Sequence, residues 1–390
     1  MMGFGVKRPD GNKGSGSGVY SRGLNAGSTR PIMGFLRTIL ALVVCLIHAG
    51  GIEGYVPMYG DVAVQGFYVV SGFYIAMVFT EKYARLRHGA AVFWVNRYLR
   101  LAPAYVIVSL IAYLTIGRFA LGGLDLHERA LVLLSQFTMI GQDIFMFLGY
   151  EPGSGWFFTR DFHALTPAQI PAYRMMMIPQ GWSIGVELWF YAVAPFLVLR
   201  RTGTLVAVIG ATLFLRLAAG SALGFTGDPW NYRFFPFELG TFLLGVLSYR
   251  AWNAQPDATS FIAGLMPLAG LVGLIAAYHY VPLGESEKRW MFLLLLAFAL
   301  PRIFNATRHS ILDRRIGDLS YPLYIVHLLC FSLLAPWFSG PWKTPLLVAA
   351  ALGCAMILAL AVERPGERFR RALTRSWITL RGLSWGPALA

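Results

Sequence analysis

Arg37 and His48 are separated by ten mostly apolar residues, Thr-Ile-Leu-Ala-Leu-Val-Val-Cys-Leu-Ile. In a helix, eleven steps at about 100° and 1.5 Å each bring the two side chains to one face, roughly 16 Å apart. Ionisable groups at membrane depth are costly and normally face a protein interior or a wet cavity. A guanidinium at one end of such a helix suits an anion such as a phosphate, and an imidazole suits proton transfer near neutral pH. The ordinary alternatives are an Arg37 that snorkels to the headgroups and a His48 that bonds a neighbouring helix.

Four further groupings carry polar chemistry within apolar surroundings. Asp61 and Gln65 lie one turn apart at the start of the second apolar block, where either could orient His48. Ser71-Gly72 lies in the same block and reads first as close helix packing. Arg97 and Arg100, at i and i+3, present two guanidinium groups on one face, suited to phosphate or to ordinary topology signalling. Ser183, Glu187 and Tyr191 stack at i, i+4 and i+8, and a carboxylate at that depth needs a partner, with Arg233 as one candidate. Glu238 is similarly placed and is expected to have a structural partner. Ser320, Tyr324 and His327 recur at i, i+4 and i+7, a stripe that lines a cavity or a helix interface, and Asp318 and Ser320 are expected to cap the helix start.

The elements that must position these groups are membrane helices. Hydrophobic residues make up 56% of the 390 residues and charged ones 13%, and the apolar residues fall in blocks of about the length that crosses a bilayer. The expected fold is all-α: a polytopic bundle of about ten transmembrane helices, near 32–50, 62–80, 99–116, 182–199, 204–223, 234–249, 261–281, 289–304, 319–337 and 345–362. The net charge of +14 comes from Lys and Arg clustered between these blocks, which points to the positive-inside rule and away from nucleic acid. Those clusters put both termini in the cytoplasm and leave Ala130–Leu148 as a re-entrant or interfacial helix within an outer loop. Residues 1–31 read as a flexible basic cytoplasmic tail, 32–368 as the membrane domain and 369–390 as a second basic cytoplasmic tail. Cys45, Cys330 and Cys354 show no metal-type spacing, and no metal site is expected.

Five blocks in order resemble the acyltransferase family 3 of integral membrane acyltransferases. Arg37 to His48 is similar to that family's Arg/Lys-x10-His motif, Phe67 to Phe73 to its FFVLSGF block, and Arg97 to Pro103 to its Arg-x-x-Arg-x-x-Pro block. Trp182 to Tyr191 is similar to its WSLSVEEQFY block and Ser320 to His327 to its SYxLYLxH block. The resemblance runs from about Ile32 to Arg368. It departs at Gln65, where the family commonly has Asp, and at Leu188, where it has a second acidic residue.

The resemblance implies transfer of an acyl group, expected to be acetyl, from cytoplasmic acyl-CoA to a hydroxyl of a saccharide or lipid-linked sugar, in the inner membrane of a bacterium. Under it, His48 is the general base, with Glu187 and Asp61 as catalytic carboxylates. Arg37, Arg97, Arg100, Ser71, Tyr324 and His327 are the donor-binding candidates. The outer loop from Phe119 to Gly181, with Trp156, Asp161, His163 and Arg174, is the expected source of acceptor specificity. An ion-coupled secondary transporter is the competing reading; its signature would be an inverted internal repeat, and the two halves show no convincing self-similarity. A non-catalytic assembly partner would leave the Arg37–His48 register unexplained.

Overall fold

The computed structural model describes residues 33–117, 121–255 and 261–380, without the side chains of 261, 262 and 375–380. The basic segment expected at 1–31 and residues 381–390 lie outside the described residues. Helices follow one another in the order α1 Gly34–His48, α2 Gly60–Val78, α3 Gly89–Ala112, α4 Leu126–Thr138, α5 Trp182–Leu197, α6 Thr202–Leu223 and α7 Phe235–Ala254, then α8 Phe261–Ala276, α9 Glu285–Thr307, α10 Ile311–Gly317, α11 Ser320–Leu334, α12 Lys343–Leu358 and α13 Arg364–Leu380. Each of the ten expected apolar blocks overlaps one of these helices, and α3 begins ten residues before the expected 99.

Among the described residues, six stretches are long and apolar enough to cross a membrane: Gly60–Tyr83, Gly89–Gly117, Thr202–Leu223, Glu285–Thr307, Ile311–Trp337 and Lys343–Thr374. Gly34–His48 and Ala263–Ala276 are apolar but shorter. Helix α1 is short because it stops at a left-turning Gly50-Gly51 pair with φ of 94° and 76°.

Ala130–Leu148 is not one helix. Helix α4 opens on a capping box in which Asp125 and Glu128 bond each other's backbone N–H, and it closes at Met139, which adopts φ 61°. Gly141 follows at φ 71°, and a short 3-10 turn, Gln142–Phe147, leads into strand β1 Leu148–Glu151. The hydroxyls of Ser135 and Thr138 bond the Ile140 and Leu134 carbonyls, which helps end the helix there. Strand β1 pairs antiparallel with β2 Gly155–Phe158 on one side and β3 Ile170–Pro171 on the other. This small sheet, its 3-10 turns and α4 make up the 121–181 loop, and among the described residues the other β pairing is a single bridge between Ile52 and Tyr55.

Helix α2 is the centre of the bundle. It packs along α7 at backbone distance: a Cβ on Gly72 would lie 1.9 Å from the Phe242 carbonyl oxygen, and one on Gly245 would lie 1.9 Å from that of Val69. Gly72 is therefore the packing residue its small size suggested. Around this crossing Tyr68, Phe242 and Phe190 stack in sequence, with centroids 4.5 and 4.3 Å apart. Cys45 and Cys330 are buried free thiols, whereas Cys354 is half-buried.

Helix α13 extends the fold past the expected boundary at 368. Buried Arg370 and Thr374 both donate to the Asn96 side-chain oxygen, at 3.0 and 2.8 Å, which fastens α13 to α3 one residue before Arg97.

Candidate active site

Helix α1 has no cap of its own, since Met33 precedes it and offers no side-chain acceptor. Its exposed N–H groups are met instead by Asp313 of α10, whose two oxygens accept from Gly34 and Phe35 at 2.8 and 2.9 Å. Thr38 adds a bond to the Ile316 carbonyl at 2.9 Å. These contacts fix the end of α1 that carries Arg37. The expected capping by Asp318 and Ser320 is not what forms: Leu319 occupies the N-cap of α11, and the Ser320 hydroxyl donates back to the Gly317 carbonyl. The capping residue of this region is Ser310, which accepts from the Asp313 N–H and opens α10.

At the other end of α1, His48 Nδ1 lies 2.9 Å from His327 Nε2, with the rings stacked at 5.1 Å. His327 Nδ1 lies 3.1 Å from the Leu323 carbonyl oxygen. A carbonyl only accepts, so His327 carries its proton on Nδ1 and its Nε2 is a lone pair. His48 must then donate from Nδ1, which leaves His48 Nε2 as the free base of the pair. His327 is fully buried while the His48 ring is exposed. One ring orients and the other is accessible.

Neither carboxylate proposed to orient His48 does so. Asp61 pairs with Arg289 at 2.5 Å. Glu187 Oε1 accepts from Ser71 at 2.5 Å and from Tyr191 at 2.7 Å. Its suggested partner Arg233 is taken by Asp228, at 2.5 and 2.9 Å, and lies over the Trp182 ring at 4.3 Å. Glu238 does have structural partners, Arg216 at 3.1 Å and Gln65 at 2.8 Å. Gln65 explains its own departure from Asp: an amide can donate to buried Glu238, whereas a second carboxylate would repel it.

The remaining candidates form a polar column inside the bundle. Arg37 lies within electrostatic reach of Arg100, Tyr74, Glu187 and Tyr191, so it turns inward instead of snorkelling. Arg97 is buried beside Tyr191 and Arg100, with its Nε unpaired. Above them is the Ser71–Glu187–Tyr191 cluster, with Ser71 supplied by α2 and the other two by α5. Next comes Ser183, again from α5, whose hydroxyl is 2.7 Å from that of Tyr324, and Tyr324 in turn packs its ring on Phe67 and on His327. The i, i+4, i+8 stripe of α5 and the i, i+4, i+7 stripe of α11 thus face each other. Buried Gln180, just before α5, locks them by donating to the Tyr324 and Ile325 carbonyls at 3.1 and 3.0 Å.

Two contributions were not anticipated: Arg233 was expected beside Glu187 and not near His48, and Gln180 was not singled out. Arg233, from the turn before α7, is close enough to His48 and Tyr324 for its charge to act on both. Gln180 carried no periodic signal. The Trp182 and Tyr232 rings hold the Arg233 guanidinium, at 4.3 and 4.4 Å.

The arrangement places a basic cluster at one end of α1 and an accessible imidazole base, with a defined tautomer, at the other. No curated protein and no solved structure gave a match to the chain. The model of the family described as the acyltransferase domain matches residues 31–364, a span that contains α1 to α12 and every residue of the column. The chain is therefore a member of the acyltransferase family 3, a membrane acyltransferase that acts on groups other than aminoacyl.

Proposed function

We propose that the protein moves an acyl group, most simply acetyl, from a cytoplasmic acyl-CoA to a hydroxyl of a saccharide, with His48 as general base. The observation that carries this reading is the His48–His327–Leu323 relay, which leaves His48 Nε2 unprotonated on an exposed residue. Arg37, Arg97 and Arg100 suit the CoA phosphates at the basic end, since guanidinium groups bind phosphate by paired, charge-assisted hydrogen bonds. The thioester would then reach His48 along the column, a rise of about 16 Å.

The step balances without a metal or redox partner. The acceptor O–H proton passes to His48 Nε2 as the oxygen attacks the thioester carbonyl, and a new C–O bond forms. The C–S bond breaks, and the thiolate takes the proton back from the imidazolium. His327 keeps the ring in the required tautomer and accepts the Nδ1–H throughout. The charge of Arg233 favours the oxyanion that develops beside His48. A bacterial cytoplasmic membrane suits this chemistry, since the donor is cytosolic and saccharide acceptors lie at the cell surface.

The test is purified protein with labelled acetyl-CoA and a panel of surface saccharides. Labelled ester or hydrolysed thioester, absent from His48→Ala, supports the reading. A His48→Ala protein that acylates at the normal rate removes it. A transporter would consume no thioester in either form.

A further inference from the structure

A cavity of about 870 Å³ lies outside the polar column, between α6, α7 and α9. That is within the size range of small-molecule sites, roughly 300–1,000 Å³. Most of its wall is apolar. Two of its lining residues, Leu217 and Leu294, are also 72% and 54% exposed on the apolar flank of the bundle, so the cavity opens sideways to where lipid chains would lie. The charged side chains on its wall are Arg216 and Arg289, and no carboxylate lines it.

The countercharges stand behind the wall. Arg216 meets Glu238 at 3.1 Å and Arg289 meets Asp61 at 2.5 Å, each through a terminal nitrogen. Each also donates through its other terminal nitrogen to the Asn231 carbonyl oxygen, and of the five N–H donors of a guanidinium these bonds still leave part of each free for a second anion. Asn231, also on the wall, has a buried Oδ1 with no donor. The polar end thus offers two cations and one unsatisfied acceptor beside an apolar slot.

We propose that this cavity binds a membrane lipid whose head is a phosphate ester bearing a hydroxyl. The phosphate sits against Arg216 and Arg289, the hydroxyl donates to Asn231 Oδ1, and the chain leaves between Leu217 and Leu294. A bulk phospholipid and a lipid phosphate that carries a sugar share this chemistry. Asn231 and Arg233 belong to one turn, with Asn231 on the cavity and Arg233 within electrostatic reach of His48. A sugar carried on such a phosphate would therefore be held at the turn whose Arg233 acts on the imidazole, a consequence that rests on the acyl-transfer reading above. Lipid binding itself does not.

The experiment is native mass spectrometry of the full chain released from detergent, with farnesyl phosphoglucose, phosphatidylglycerol and farnesol as probes. Wild type is expected to retain at least one of the phosphate lipids about tenfold better than farnesol. The cavity-filling pair Leu217→Trp with Leu294→Trp, and the charge-balanced pair Arg289→Gln with Asp61→Asn, should each lose that retention about tenfold. The second pair decides if the first fails to fold. Retention of phosphatidylglycerol assigns the site to bulk lipid, and retention of the phosphoglucose assigns it to a sugar carrier. Equal retention of farnesol, loss of neither signal in the variants, or no bound phosphate lipid overturns the proposal. Absence of acyl transfer with lipid binding intact would sink only the enzymatic reading.

Discussion

Asp313 caps Gly34 across 279 positions of sequence, accepting its N–H at 2.8 Å. The approach is so close that a Cβ on Gly34 would lie 1.8 Å from the Asp313 carbonyl oxygen. Helix α1 owes its start to another helix, and Arg37 is placed within a turn of that junction. Removing the acceptor should cost about 1–2 kcal/mol, as loss of a helix cap does elsewhere. Asp313→Ala is expected to lower the unfolding temperature in detergent and to raise the KM for the acyl donor, while Asp313→Asn, which keeps one acceptor oxygen, should lose less. Thermal unfolding and donor titration on the same samples check both.

His48 and His327 should separate by the kind of loss they cause. General acid–base groups contribute typically about 10²–10⁴-fold, so His48→Ala should remove activity by at least the lower figure. His327→Ala removes the acceptor of the His48 Nδ1–H and should reduce kcat with less effect on donor KM. His327→Gln, which can present a carbonyl oxygen near the same place, should recover part of the loss. Equal rates for His327→Ala and wild type would show that the relay has no role.

Glu187 is expected to matter as the shared acceptor of two hydroxyls. Glu187→Ala leaves Ser71 and Tyr191 without their acceptor, at about 1–3 kcal/mol for each buried group left unsatisfied. Glu187→Gln keeps an oxygen and should be milder. Tm and transfer rate measured for the pair distinguish this structural role from a catalytic one, since a catalytic carboxylate would lose activity in both variants alike.

Gly245 should tolerate nothing larger. Its Cβ position lies 1.9 Å from the Val69 carbonyl oxygen and 2.7 Å from the Phe73 nitrogen, all backbone, so neither helix can yield by turning a side chain. Gly245→Val is expected to abolish the folded, monodisperse protein in size-exclusion chromatography. Gly270, with open space around its Cβ position, is the control that should accept Ala.

Gln65 offers a test of the altered acidic position. Gln65→Asp would face a carboxylate toward fully buried Glu238, whose countercharge Arg216 then serves two anions. Breaking a buried polar pair in this way costs about 3–5 kcal/mol. A lowered Tm is expected, with recovery in the double variant Gln65→Asp with Glu238→Gln, which restores one donor and one carboxylate.

The helices and their polar stripes were legible in the order of residues along the chain. Apolar blocks and their lengths located helical segments, and the 3.6-residue period put Arg37 with His48, Ser183 with Glu187 and Tyr191, and Tyr324 with His327. Period is a local property, legible in one segment because each residue's direction depends only on its own helix. Which stripes meet was decided by the tertiary structure alone. The search for a carboxylate beside His48 failed because nothing in α1 or α2 encodes that α11 arrives there with a second imidazole. Asp61 and Glu187, polar and at plausible depth, were instead claimed by Arg289 of α9 and Ser71 of α2, whose positions depend on how α2, α5 and α9 pack, while Tyr191 is the local partner its i+4 spacing gave Glu187. The break at Met139 was likewise invisible to hydropathy, since an apolar residue at positive φ leaves the apolar run intact while ending the helix.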